Sequence, residues 1–148
     1  MKSKKGFVLT ELITVIIIFG VILTVGALSF SIVDRLQINS AMRALQSDLR
    51  HVKRIALNEK VQARIVFDET SNVYTLEKMV NNKFVTVKTV EPQAKIKSIN
   101  ASGKTVSFTT RGTTGSACTI VLTHGGYEGS LTVNVGGGRA KVTEIRRI

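Results

Sequence analysis

One cysteine, one proline, two histidines and no tryptophan exclude several common protein classes at once. A lone thiol cannot build an internal disulfide framework or a cysteine-rich metal site. Cys118 lies in the apolar run "ACTIVL", where a buried, inert thiol is expected. Near-absence of proline, with a hydrophobic fraction of 43%, argues against a disordered chain and for a real core. Acids are also scarce, ten against 21 Lys and Arg, for a net charge of +11. That excess favours anionic partners such as nucleic acid or lipid headgroups, or else simply makes a solvated basic surface.

Catalytic patterns are missing too. His51 falls among basic residues of a helical stretch, and His124 falls in the glycine turn "THGGYEG". There is no Gly-x-Ser-x-Gly elbow and no His-containing metal motif. The "GGGR" at 136–139 could cradle a phosphate through backbone N–H groups, but it lacks the Lys-Ser/Thr of a phosphate-binding loop and opens no helix. No enzyme, metal or cofactor is expected.

What is present begins with charge patterning at the N-terminus. Glu11 is the only charge in the 27 residues from Phe7 to Val33. A carboxylate in such a run costs about 2.5–3.5 kcal/mol on membrane-insertion scales and calls for a partner. Residues 12–33 are 22 uncharged positions, about 33 Å as a helix, enough to cross a bilayer. Lys2, Lys4 and Lys5 would then stay cytoplasmic, with residues 34–148 outside. An ordinary secreted basic protein cleaved after Ala27 is a second reading, although the apolar stretch exceeds a usual signal core. Neither reading gives Glu11 a partner. Cleavage between Gly6 and Phe7 does, because it creates an α-amino group one helical turn from Glu11. Copies packed side by side could then pair each Glu11 with a neighbour's Phe7 amine, setting the axial register.

The stretch "KKGFVLTELITVIIIFGVILTVGA" resembles the leader and helix shared by type IV pilins and type II secretion pseudopilins. A basic leader ends in Gly6, an aromatic follows, and a glutamate stands fifth after the glycine. Val8 and Thr10 stand where Thr and Ile or Leu are commoner, and the helix lacks the proline of many major pilins. The resemblance implies cleavage at Gly6–Phe7 by a membrane prepilin peptidase, N-methylation of Phe7 by the same enzyme, and a role for Glu11 in assembly. It also implies other pilins as partners and a single-pass cytoplasmic (inner) membrane precursor that enters a filament.

From Arg35 to Asn58 the positions Leu36, Ile38, Ala41, Met42, Leu45, Leu49, Val52, Ile55 and Ala56 recur at spacings of mostly three and four. No Pro or Gly lies between Leu28 and Lys60, so one helix from Phe7 to about Glu59 is expected, with Arg35, Arg43, Arg50 and Arg54 on its wet face. After Asn58 the period becomes alternating. "QARIVF", "VYTLEKMV", "KFVTVKTV", "AKIKSI", "TVSF", "ACTIVLT", "GSLTVNV" and "RAKVTEI" read as short strands parted by turn residues. Lys83, Lys88, Lys95 and Lys97 alternate with apolar residues, as on one wet sheet face. The expected fold class is α+β, a long N-terminal helix packed on antiparallel sheets. The segments are a leader (1–6), a transmembrane and assembly half of the helix (7–33), an amphipathic half (34–60) and a β-rich domain (61–148).

"VSFTTRGTTGSACTIVL" followed by "GSLTVNVGGGRAKV" resembles the C-terminal half of the GspH/FimT-like minor pilins and pseudopilins, with Phe108 to Gly112 and Gly138-Arg139 at the matching places. The leading functional expectation is therefore a minor subunit of a pilus-like filament. The FimT-like branch is linked to DNA capture through a basic Gly-Arg-x-Arg tail, and Arg139, Lys141, Arg146 and Arg147 are the corresponding nonspecific DNA-binding candidates. Lys141 keeps the phosphate attraction but lacks the bidentate fork of arginine.

Overall fold

The computed structural model describes residues 5–148, with the side chains of residues 5–8 and 24–31 outside the description. Helix α1 runs Lys5–Glu59. The chain divides into two compact units, residues 1–33 and residues 34–148. In the first, the apolar side chains from Leu9 to Leu23 are exposed. Among the described residues no helix is long and apolar enough to cross a membrane. The expected 12–33 span includes residues 24–31, whose side chains lie outside the described residues.

In the second unit α1 ends where Lys60 turns left-handed (φ 55°), a backbone reversal that frees the chain to enter the first strand. Eight strands follow: β1 (Ala63–Asp68), β2 (Val73–Val80), β3 (Lys83–Val90), β4 (Lys95–Ile99), β5 (Thr105–Phe108), β6 (Cys118–His124), β7 (Tyr127–Val133) and β8 (Ala140–Arg147). They form two antiparallel four-stranded sheets, ordered β3-β2-β1-β5 and β4-β6-β7-β8. Two hairpins close on two residues each, Asn81-Asn82 (φ 50° and 59°) and Gly125-Gly126 (φ 54° and 78°). Both residues of such a turn need positive φ, which is why Asn and Gly fill these places. Asp68 closes the β1–β2 turn by accepting from the Thr70 and Ser71 amides at 2.9 and 3.3 Å.

Crossing from one sheet to the other is secured by Asn72. Its Oδ1 accepts from the Ile96 amide at 2.8 Å, which fixes the start of β4 against the β1–β2 turn. The core lies between the helix and both sheets. Ile38, Met42, Leu45, Leu49, Val52 and Ala56 meet Ile65, Leu76 and Phe108 of one sheet and Ile120, Leu122 and Leu131 of the other, all at most 1% exposed. Cys118 belongs to this core, and burial pushes its thiol pKa up.

Three local expectations need correction. Leu36 fits the apolar periodicity yet is 62% exposed. It lies 18 residues, five full turns, before Arg54, so it shares the wet side of the helix. The strand read as "GSLTVNV" begins two residues earlier, at Tyr127, so Gly129 sits inside β7, where an added Cβ would lie 3.0 Å from Met42. The bare backbone there lets sheet and helix approach. The four lysines do not share one face. Lys83 and Lys88 lie on β3 of the first sheet, whereas Lys95 and Lys97 lie on β4 of the second. Lys88 turns back to the helix, 3.1 Å from Asp48.

Candidate functional site

Two regions carry the residues singled out in the sequence. In the first unit, Gly6 and Phe7 belong to the backbone of α1, but their side chains lie outside the described residues. Glu11 is exposed, one turn on from Phe7, between the exposed Leu9 (60%) and Leu12 (56%). Thr14 returns its hydroxyl to the Thr10 carbonyl at 2.8 Å, a local way to satisfy a polar group on an apolar helix. A contiguous apolar surface of this extent requires an apolar partner, lipid or protein.

The second region is the loop from Asn134 to Arg139 and the edge strand β8. Three side chains from other segments donate to carbonyls of the loop and the first residue of β8. Gln46 donates to the Ala140 carbonyl at 2.8 Å, Lys53 donates to the Gly137 carbonyl at 2.5 Å, and Thr114 donates to the Asn134 carbonyl at 3.0 Å. Gly138 is left-handed (φ 54°), and a Cβ there would lie 2.9 Å from the Gly112 carbonyl oxygen. Within the triple glycine Gly138 is thus the packed corner, whereas a Cβ at Gly136 or Gly137 would meet open space.

The four basic candidates do not converge. Arg139 precedes β8 and is exposed, as is Lys141 opposite Thr132. Arg146 lies opposite Glu128 and donates to its carboxylate at 2.8 Å. Lys97 donates to the other Glu128 oxygen at 2.5 Å. Those two bonds, Lys97 first, hold the Glu128 pKa below its ordinary value against the opposing effect of burial. Arg147 lies opposite Tyr127, and adjacent strand residues point to opposite faces, so it leaves the side that Arg146 occupies. From Arg139 to Arg147 is eight residues, about 26 Å of strand. Only Arg139 and Lys141 remain as a pair.

Sequence reading passed over the part that α1 takes in this region. Gln46 reaches the first residue of β8 and Lys53 the loop before it, and Arg50 lies between them at helical spacings of four and three. The signal was the four-arginine helix face, read as a solvated surface. His124 sits 3.8 Å from Asp34, and His51 is exposed. Among the described residues no group of three or more His, Cys, Asp or Glu could hold a metal ion.

Solved structures resemble this arrangement of helix and two sheets. The type IV minor pilin FimU of Pseudomonas aeruginosa (strain PAO1) matches with a TM-score of 0.60 at 15% identity, covering 74% of this chain and 90% of that one. A second crystal form of FimU matches with a TM-score of 0.55 at 17% identity, covering 72% and 92%. The chain has the pilin fold. The minor pseudopilin EpsH from the type 2 secretion system of Vibrio cholerae matches with a TM-score of 0.60 at 8% identity, covering 72% of this chain and 96% of that one. No family model matches the sequence, and no curated protein is significantly similar to it. The shared feature is the pilin-like packing of an N-terminal helix on antiparallel sheets.

Proposed function

We propose that this chain is a minor subunit of a type IV pilus-like filament, either a pilus or a type II secretion pseudopilus. The observation that carries the reading is one helix, α1, whose Phe7–Leu23 part is apolar around Glu11 and whose later part packs into a pilin-fold domain. Gly6 and Phe7 mark cleavage by a prepilin peptidase and methylation of the new amine. Glu11 pairs with the Phe7 amine of a neighbouring subunit. Before assembly the chain is a single-pass protein of the cytoplasmic membrane, with residues 34–148 on the outer side. The role is structural and not catalytic.

Mass spectrometry of the protein from its own cells tests this directly. Cleavage at Gly6–Phe7 leaves 142 of the 148 residues and removes three lysines, which takes the formal charge from +11 to +8. A mature N-terminus at Leu28 would mean an ordinary secreted protein and end the filament reading.

A second reading is nonspecific DNA binding at Arg139 and Lys141, favoured because both are exposed and neither has an acidic partner among the described residues. Neutralising two to four phosphates gives a slope of about −2 to −4 for log K against log salt on duplex DNA. Arg139→Gln with Lys141→Gln should flatten it by about two, and changes at Lys83 and Lys88 should matter less. Absence of binding by residues 34–148 at low salt removes this reading and leaves the structural one.

A further inference from the structure

One face of α1 carries positive charge that no acid among the described residues pairs. Leu36, Ser40, Arg43, Ser47, Arg50 and Arg54 follow one another at steps of four and three, and all six are exposed. Eighteen residues make five turns, so these side chains form a stripe about 27 Å long. No ion pair among the described residues involves Arg43, Arg50 or Arg54. None of the three has an acid three or four residues away, and Arg50 has Lys53 and Arg54 at those spacings. Like charges so placed disfavour the helix. Within the described residues the stripe thus gains no ion pair, and its like charges slightly disfavour the helix.

We infer that this stripe docks against an acidic face of a different protein subunit. The inference rests on the reading of the chain as a filament subunit, since a filament supplies neighbours beside α1. A second copy of this chain lacks the complementary charge. Of its ten acids, Asp48, Glu59, Glu69, Glu77 and Glu128 already face cations of their own chain, and Asp34 lies 3.8 Å from His124. Asp68 caps a turn, and Glu11, Glu91 and Glu144 are scattered over α1, the loop between β3 and β4, and β8. Nucleic acid fits less well than protein. The stripe has no aromatic side chain for base stacking, and it ends in Leu36, 62% exposed, an apolar anchor with no phosphate to meet. Arginine over lysine, small serines between the arginines, and an apolar end suit a helix face seated on a protein surface. Arginine also offers the planar fork that carboxylates accept in pairs.

The test places a photo-crosslinking amino acid at Ser47 in the full-length chain, expressed in its own cells. The expected adduct joins a different protein at a peptide bearing at least two Asp or Glu. Arg43→Glu with Arg50→Glu should reduce that adduct at least tenfold. Changing the captured acids to Lys should restore it, which a merely misfolded variant would not allow. Arg50→Glu sets an acid three and four residues before Lys53 and Arg54, so the variant should melt no lower than wild type. An adduct with nucleic acid, lipid or a second copy, with a peptide free of acids, or no adduct at all, overturns the inference. Co-purification with sheared filaments separates the two readings. Incorporation without the adduct removes the docking stripe alone, and the adduct without incorporation removes the filament reading alone.

Discussion

The Tyr74 hydroxyl donates a 2.7 Å hydrogen bond to Asp48, which ties the first sheet to the helix through a side chain only 2% exposed. Burial, and then the Asp48 carboxylate, push the Tyr74 pKa up beyond its ordinary value of 10.0. Tyr74→Phe should cost about 1.5–3 kcal/mol, the usual worth of a hydrogen bond to a charged group. Urea unfolding of residues 34–148 at neutral pH measures it. A folded-state pKa raised above the unfolded one contributes stability that is complete below the unfolded value and lost as pH rises through the folded one. Wild type should therefore lose stability above pH 10 more steeply than Tyr74→Phe.

Glu128 works in the opposite sense. Lys97 and Arg146 depress its pKa, so its contribution is present above the unfolded value, near 4.5, and fades as pH falls through the lower folded value. Glu128→Gln should be less stable than wild type at pH 7 and approach it in acid. Thermal melts from pH 7 to pH 2 report this. Parallel curves over the whole range would show that the Glu128 carboxylate does not stabilise the fold.

The packed glycine corner separates two substitutions that look alike in sequence. Gly138→Ala meets the Gly112 carbonyl at 2.9 Å and the Phe108 ring at 3.0 Å, in a left-handed backbone. It should cost more than the roughly 1–2 kcal/mol of left-handed strain alone. Gly137→Ala enters open space with no left-handed requirement and should stay within about 0.5 kcal/mol of wild type. Equal losses at both positions would refute the corner.

Glu11→Leu should spare folding and block assembly. The residue is exposed and belongs to the first unit, so the melting of residues 34–148 is untouched by design. Membrane insertion should improve, because a penalty of about 2.5–3.5 kcal/mol is gone. Co-purification with sheared filaments should fail. Normal incorporation would remove the proposed pairing with a neighbour's Phe7 amine.

Period and punctuation in the chain by themselves determined the elements. A spacing of three and four without glycine or proline made the part of α1 from Arg35 onward, and alternation between turn residues made eight strands, because side-chain geometry repeats at 3.6 and 2 residues. Asn81-Asn82 and Gly125-Gly126 named their own hairpins, since positive φ is a local demand. Only the tertiary structure decided who neighbours whom. Strand β5 returns to β1 while β4 leaves to pair with β6, a choice secured by Asn72 across 24 residues of chain. It also decided which charges are spent. Arg146 is drawn to Glu128 from 18 residues away, and Lys53 to Gly137 from 84, while Arg50 forms no ion pair among the described residues. Local periodicity records which side of an element is apolar. It carries no record of the partner that a charge will meet, because that partner arrives only when distant segments pack.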